Sequence, residues 1–345
     1  MSAPESGGRL RAYWQFLVAV LYFFLARSLA RHAAGRLAGD QWFPLVEQAF
    51  LAFLLLMGYA ALGFWLSRQM HPITAQGLPR RSGWPGEVGL GLATGWGLAA
   101  VCVLLLAVGG GIAISISTRA SALVWLVADA AFFALATLAE EIAFRGYGFQ
   151  RFVHAVGSLG ASLGFAAYYA IVQSLVPGSS RASVLVSVAL GLVLSAAYLR
   201  TQAIWLSWGL NFGWKASRAL LFGLAVNGVN SHSPVVQGNP MGPFWLTGGG
   251  FGLEGSWITF IILIAALPVV FRITRELDFR HNALVIVPAG IPVDLDAAAR
   301  AQHQAAVGPA EPAPPALIQI GTVAPAPPPP VRPQDAASGQ ASESR

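Results

Sequence analysis

The sequence predicts an all-α fold, a polytopic integral membrane helical bundle of about eight transmembrane helices. Three observations carry this. Only 10% of the 345 residues are charged, where a soluble domain carries roughly 25%. Hydrophobic residues make up 55%, and mean hydropathy is +0.60. Apolar runs close to the spanning length recur along the chain.

Those runs fall at about 13–30, 46–66, 88–108, 121–142, 159–176, 184–199, 203–225 and 257–271, the sixth being the shortest. The first is too long and too aromatic at its flanks for a cleaved signal peptide. Arginine placement orients the bundle. Arg9, Arg11, Arg68, Arg80, Arg81, Arg151, Arg200, Arg272, Arg275 and Arg280 gather on one side, against Arg31, Arg36, Arg119 and Arg181 on the other. Both termini are therefore expected in the cytoplasm. The net charge of +6 reads as anchoring to anionic headgroups of membrane lipids, and no nucleic-acid partner is expected. Cys102 is the sole cysteine, which rules out disulfides within the chain and cysteine-based metal sites.

Three zones follow. Residues 1–120 hold three helices and a basic loop from Arg68 to Trp84. Residues 121–272 carry nearly all the intramembrane polar groups. From 273 to 345 the chain reads as a cytoplasmic, Ala/Pro-rich disordered tail, with Pro325-Ala326-Pro327-Pro328-Pro329-Pro330 inside it. The connection Val226–Ser256 is long, carries no Lys or Arg, and reads as an ordered cap or as a lid over an intramembrane cavity.

Chemistry concentrates at Glu140-Glu141-Ile142-Ala143-Phe144-Arg145, at the end of the fourth run. Carboxylates at membrane depth are expensive and mark function. Glu141 and Arg145 are four apart, acid first, the favourable order for a helical pair. Glu140 points about 100° away and is left for another partner. Asp129 lies three turns earlier on the same face, roughly 16 Å from Glu140, and is a candidate cavity residue. Lys215 is the only lysine in the chain and sits mid-run, where an ammonium must pair or deprotonate.

This element, with the following Gly146-Tyr147-Gly148-Phe149-Gln150-Arg151, resembles the first motif of the CPBP (CAAX protease and bacteriocin-processing) intramembrane proteases. The segments Gly191–Thr201, Ile204–Leu210 and Gly242–Gly249 are similar to stretches around that family's last motif. The resemblance covers about residues 120–256 and implies a CAAX-protease-like core. It also implies a bacterial inner membrane, and endopeptidase activity on prenylated, leader-type or other membrane-associated peptides. In the family a glutamate and a histidine activate water, and a second histidine with Asn or Asp meets the oxyanion. Here Tyr169, in Phe165-Ala166-Ala167-Tyr168-Tyr169, stands where the first histidine belongs. Asn211 and Lys215, in Asn211-Phe212-Gly213-Trp214-Lys215, replace the second histidine and its asparagine.

The catalytic candidates implied are Glu140, Glu141, Arg145, Tyr169, Asn211 and Lys215, with Asp129, Phe165 and Trp214 as substrate or cavity residues. The six histidines are expected outside the spans, and no pair has ligand spacing, so no metal or other cofactor is expected. Three readings stay open. The chain is a CPBP-type peptidase with a degenerate centre, in which Glu140 activates water. It is a catalytically silent membrane scaffold binding a peptide or membrane-protein partner, in which Lys215 neutralises Glu140. Or it is a proton-linked transporter relaying through Asp129, Glu140, Glu141 and Lys215.

Overall fold

The computed structural model describes residues 6–281 apart from Gly110, Thr118 and Pro234. In chain order the helices are α1 (Ser6–Leu37), α2 (Phe43–Ser67), a short α3 (Pro72–Ala75), α4 (Trp84–Gly109), α5 (Ala120–Arg145) and α6 (Tyr147–Ser174). They continue with α7 (Arg181–Thr201), α8 (Ile204–Ala216), a short α9 (Phe244–Thr247), α10 (Trp257–Ile273) and α11 (Arg275–His281). Among the described residues five stretches are long and apolar enough to cross a membrane, and one of them, Ala120–Ser174, is α5 and α6 together. Each of the eight apolar runs thus has its helix, with α8 and α10 shorter than a full span.

Several features differ from the sequence reading. The helices outrun their apolar cores, so His32 lies on α1 and His154 on α6, not outside the helices. The seventh run is not one helix: α8 gives way to a π-helical turn at Ser217–Leu221. The bundle also carries a two-stranded antiparallel sheet, β1 (Ile112–Ile116) against β2 (Val236–Pro240), with Ile114 opposite Gly238. Of the 273–345 zone, residues 275–281 form α11, and the expected disordered tail lies outside the described residues. Helices of the first two zones pack against one another, α4 on α8 and α2 on α5.

The packing of α4 on α8 has a specific cause. Gly91 and Gly95 on α4 face Gly209 and Gly213 on α8, each pair four residues apart on one helix face. A Cβ at any of the four would strike backbone of the other helix: the Leu206 and Leu210 carbonyls for α4, the Val88 and Leu92 carbonyls for α8. Small residues let the backbones touch, which is how helices associate in a medium without hydrophobic driving force. α7 is the most enclosed span, packed against α6, α8 and α10. Its start is fixed by a reciprocal pair, Ser180 Oγ accepting from Ser183 N at 3.1 Å and Ser183 Oγ accepting from Ser180 N at 2.8 Å.

A core of α4, α7, α8 and α10 side chains, centred on Trp214, Val193 and Leu263, lies on one side of α7. A second core joins α1, α2, α5 and α6 around Leu55, Tyr59, Ile142 and Tyr147. The site lies between them.

Candidate functional site

α5 delivers both glutamates and stops abruptly. Gly146 closes it, its N–H donating to the Ile142 carbonyl at 3.0 Å, and a Cβ at 146 would collide with that same oxygen. The break lets α6 turn back against α7 and bring Tyr169 to the glutamates. α8, held at backbone contact by α4, presents Asn211 and Lys215 four residues apart on one face.

The resulting network is compact. Lys215 Nζ donates to both oxygens of Glu140, at 2.6 and 2.7 Å. Asn211 Nδ2 lies 3.0 Å from Glu140 Oε2 and 3.0 Å from Glu141 Oε1, so one amide bridges the acidic doublet. Arg145 Nη1 donates to Glu141 Oε1 at 3.0 Å, and its Nη2 reaches the Gly191 carbonyl at 3.4 Å. Glu141 and Arg145 have no solvent exposure to speak of, so neither charge could be buried without the other. The Glu140 side chain keeps 31% of its exposure, and it faces space.

That space is a cavity of about 420 Å³. Glu140, Tyr169 and Lys215 stand on its wall, with Asn227 and Glu254 from the connection before α10. The long loop therefore contributes to the cavity and does not merely lie over it. The Tyr169 hydroxyl lies beside the Arg145 guanidinium and Ser207 beside the Glu141 carboxylate, while the Gln173 amide nitrogen and Asn211 Oδ1 have no partner among the described residues. Buried polar atoms of this kind are normally satisfied by water or by a ligand. An apolar slot of about 240 Å³, lined by Phe16, Val20, Phe152 and Phe165, shares Phe23, Ala143, Phe144 and Tyr168 with the cavity.

Three expected cavity residues sit elsewhere. Asp129 accepts from Ser233 N at 2.7 Å and lies 2.9 Å from His232 Nδ1, lining a small separate pocket with Trp42 and Trp125. It ties the connection to α5 and does not partner Glu140. Phe165 belongs to the apolar slot. Trp214 is fully buried beneath the Arg218 guanidinium, 4.2 Å from its ring centre, and reaches neither space.

Other residues escaped the sequence reading. Arg27 and Arg31 of α1 line the cavity, as does Gln173 of α6. Spacing could have found the arginines, which are four apart and share a face. Glu254 forms a buried ion pair with Arg218 at 2.5 Å. The available signal was that Glu254 is the only Asp, Glu, Lys or Arg between 226 and 256. Among the described residues no three His, Cys, Asp or Glu side chains come together as a metal site requires.

The comparison with known families places the same segment. Residues 119–217 match the Rce1-like type II CAAX prenyl endopeptidase family, a stretch running from the start of α5 to just past Lys215. No curated protein matches the chain. No solved structure matches it either. The matched span, which holds Glu140, Glu141, Arg145, Tyr169, Asn211 and Lys215, is similar to the Rce1-like CAAX prenyl endopeptidase family, consistent with a CPBP family protease.

Proposed function

We propose that this protein is a CPBP-type membrane protein that binds a membrane-associated peptide in the 420 Å³ cavity without hydrolysing it. One observation carries the reading: Lys215 holds both carboxylate oxygens of Glu140, at 2.6 and 2.7 Å. A general base needs a lone pair within about 2.6–3.2 Å of a water proton. Here Lys215 and Asn211 occupy three of the roughly four acceptor sites of the carboxylate, leaving little of it for a water. The two positions the family gives to histidine hold Tyr169 and Asn211, a phenol and an amide. Both are good donors and neither accepts a proton from water near neutral pH. Removing an acid–base partner costs roughly 10²–10⁴-fold, so losing both leaves little hydrolysis.

What remains is suited to recognition. Tyr169, Gln173, Arg27 and Arg31 line the cavity together with Glu47, and their donors suit the carbonyls of a peptide. The adjoining apolar slot suits a hydrophobic side chain or a prenyl group. The test uses full-length protein in detergent with fluorescent prenylated and leader peptides. Polarisation reads binding and mass spectrometry reads products. Saturable binding without product is expected, with Tyr169→Phe weakening it about three- to tenfold. Product that disappears in Glu140→Gln would overturn the reading.

Retained hydrolysis is the second reading, favoured by the 31% exposure of the Glu140 side chain toward the cavity. In it Glu140 would activate water, Glu141 and Arg145 would hold it, and Asn211 with Tyr169 or Lys215 would meet the oxyanion. A proton-linked relay has less support, because its first acid, Asp129, is engaged with His232 and Ser233 in a separate pocket.

A further inference from the structure

A different cavity, of about 310 Å³, lies between the first turns of α1, the end of α2 and the first turns of α6. Arg11, Arg68, Arg151 and His154 line it, and among the described residues no carboxylate does. None of the four is ion-paired to an acid among the described residues. The floor is built: Arg11 Nη2 and Gln15 Nε2 both donate to the Leu66 carbonyl at 2.9 Å, and Ser67 Oγ lies 2.9 Å from the Tyr147 hydroxyl. Arg151 is stacked over the Tyr147 ring at 5.5 Å, and its Nε is buried with no protein partner. Arg68 ends α2 in the left-handed region, φ 51°, which turns the chain and brings its side chain to the pocket.

Three guanidiniums around one small space repel one another unless an anion lies among them. Guanidinium forks match phosphate oxygens in geometry as well as charge. The depth is also marked. Trp14 and Trp65, each three residues from a pocket arginine, are 61% and 76% exposed. Exposed tryptophans at the ends of spans sit at headgroup level. We propose that this pocket binds the phosphate of an anionic membrane lipid, with Arg68 and Arg151 on the phosphate oxygens and the acyl chains against the exposed Trp14 and Trp65. A basic pocket between helices at the membrane surface is the setting in which such headgroups are held. The site shares no residue with the cavity around Glu140.

Native mass spectrometry of the full chain, titrated with phosphatidylglycerol or phosphatidylcholine, tests this. The wild-type protein should retain phosphatidylglycerol at least about tenfold better than phosphatidylcholine. Arg68→Asn with Arg151→Gln should bring the two lipids level, while Arg36→Gln at the other end of α1 changes nothing. Should the double variant not fold, Arg68→Asn alone, with a residue that tolerates the left-handed backbone, should still cost several-fold. Equal retention of both lipids, or phosphatidylglycerol binding indifferent to these arginines, overturns the proposal. Displacement of the lipid by millimolar inorganic phosphate would make this a site for the free anion and overturn the lipid assignment.

Discussion

Arg218 sits in the π-helical turn after α8 and Glu254 in the short turn before α10, and their side chains meet at 2.5 Å with almost no solvent. Arg218 Nε also donates to the Trp214 carbonyl at 2.9 Å, and the guanidinium lies over that tryptophan's ring. Removing one member of such a pair strands a charge in the bundle, at a cost of about 3–5 kcal/mol, whereas replacing both with apolar groups is nearly neutral. Arg218→Met should therefore lower the thermal midpoint in detergent sharply, and Arg218→Met with Glu254→Leu should recover most of it. A double variant as unstable as the single one would show that the pair is not what seats the loop. The same logic explains the Glu141–Arg145 pair, legible in the sequence because its members are four residues apart. Glu254 was not legible, because 36 residues and a change of direction separate it from Arg218. The contact of Lys215 with Glu140 stood between these cases: a sole lysine and a surplus acid had to find one another, but no spacing rule said that the ammonium would bridge both oxygens.

At the scale of elements, the α4–α8 contact decides where Asn211 and Lys215 stand. Gly95→Leu or Gly213→Leu would force the two backbones apart, since the new Cβ alone meets the facing backbone. Either change should lower the thermal midpoint and also weaken peptide binding in the cavity, because α8 moves with its functional face. Gly97, on the same helix, has open space where a Cβ would be, so Gly97→Ala should be neutral or slightly stabilising, by at most about 1 kcal/mol. Equal losses at Gly95 and Gly97 would refute close packing as the cause. The four-residue glycine spacing was present in the sequence, but glycine is common in spans and the pattern does not say which helices meet. The alternation of Ile112, Ile114 and Ile116 was likewise a strand signal, and it was masked by its place in a connection between two apolar runs. Strand pairing needs a partner, and β2 lies more than a hundred residues away.

For the whole molecule, hydropathy was enough to give the helices, because a lipid environment leaves the backbone few alternatives. It misjudged their ends, since polar residues such as His32 and His154 continue a helix past the apolar core once the first turns are formed. The placing of Asp129 failed for a related reason. Its helix face was inferred rightly enough to lie along α5 with Glu140, but a residue three turns away meets a different set of neighbours, here the loop residues His232 and Ser233. The functional reading rests on one contact across the bundle, between α5 and α8. A double-mutant cycle on the full-length protein in detergent tests it most directly, with Glu140→Gln, Lys215→Met and their combination compared by thermal midpoint. The account predicts that each single change destabilises more than the double, with a coupling of about 1–3 kcal/mol. Additive effects, with no coupling between positions 140 and 215, would contradict it and return Glu140 to the role of a free base.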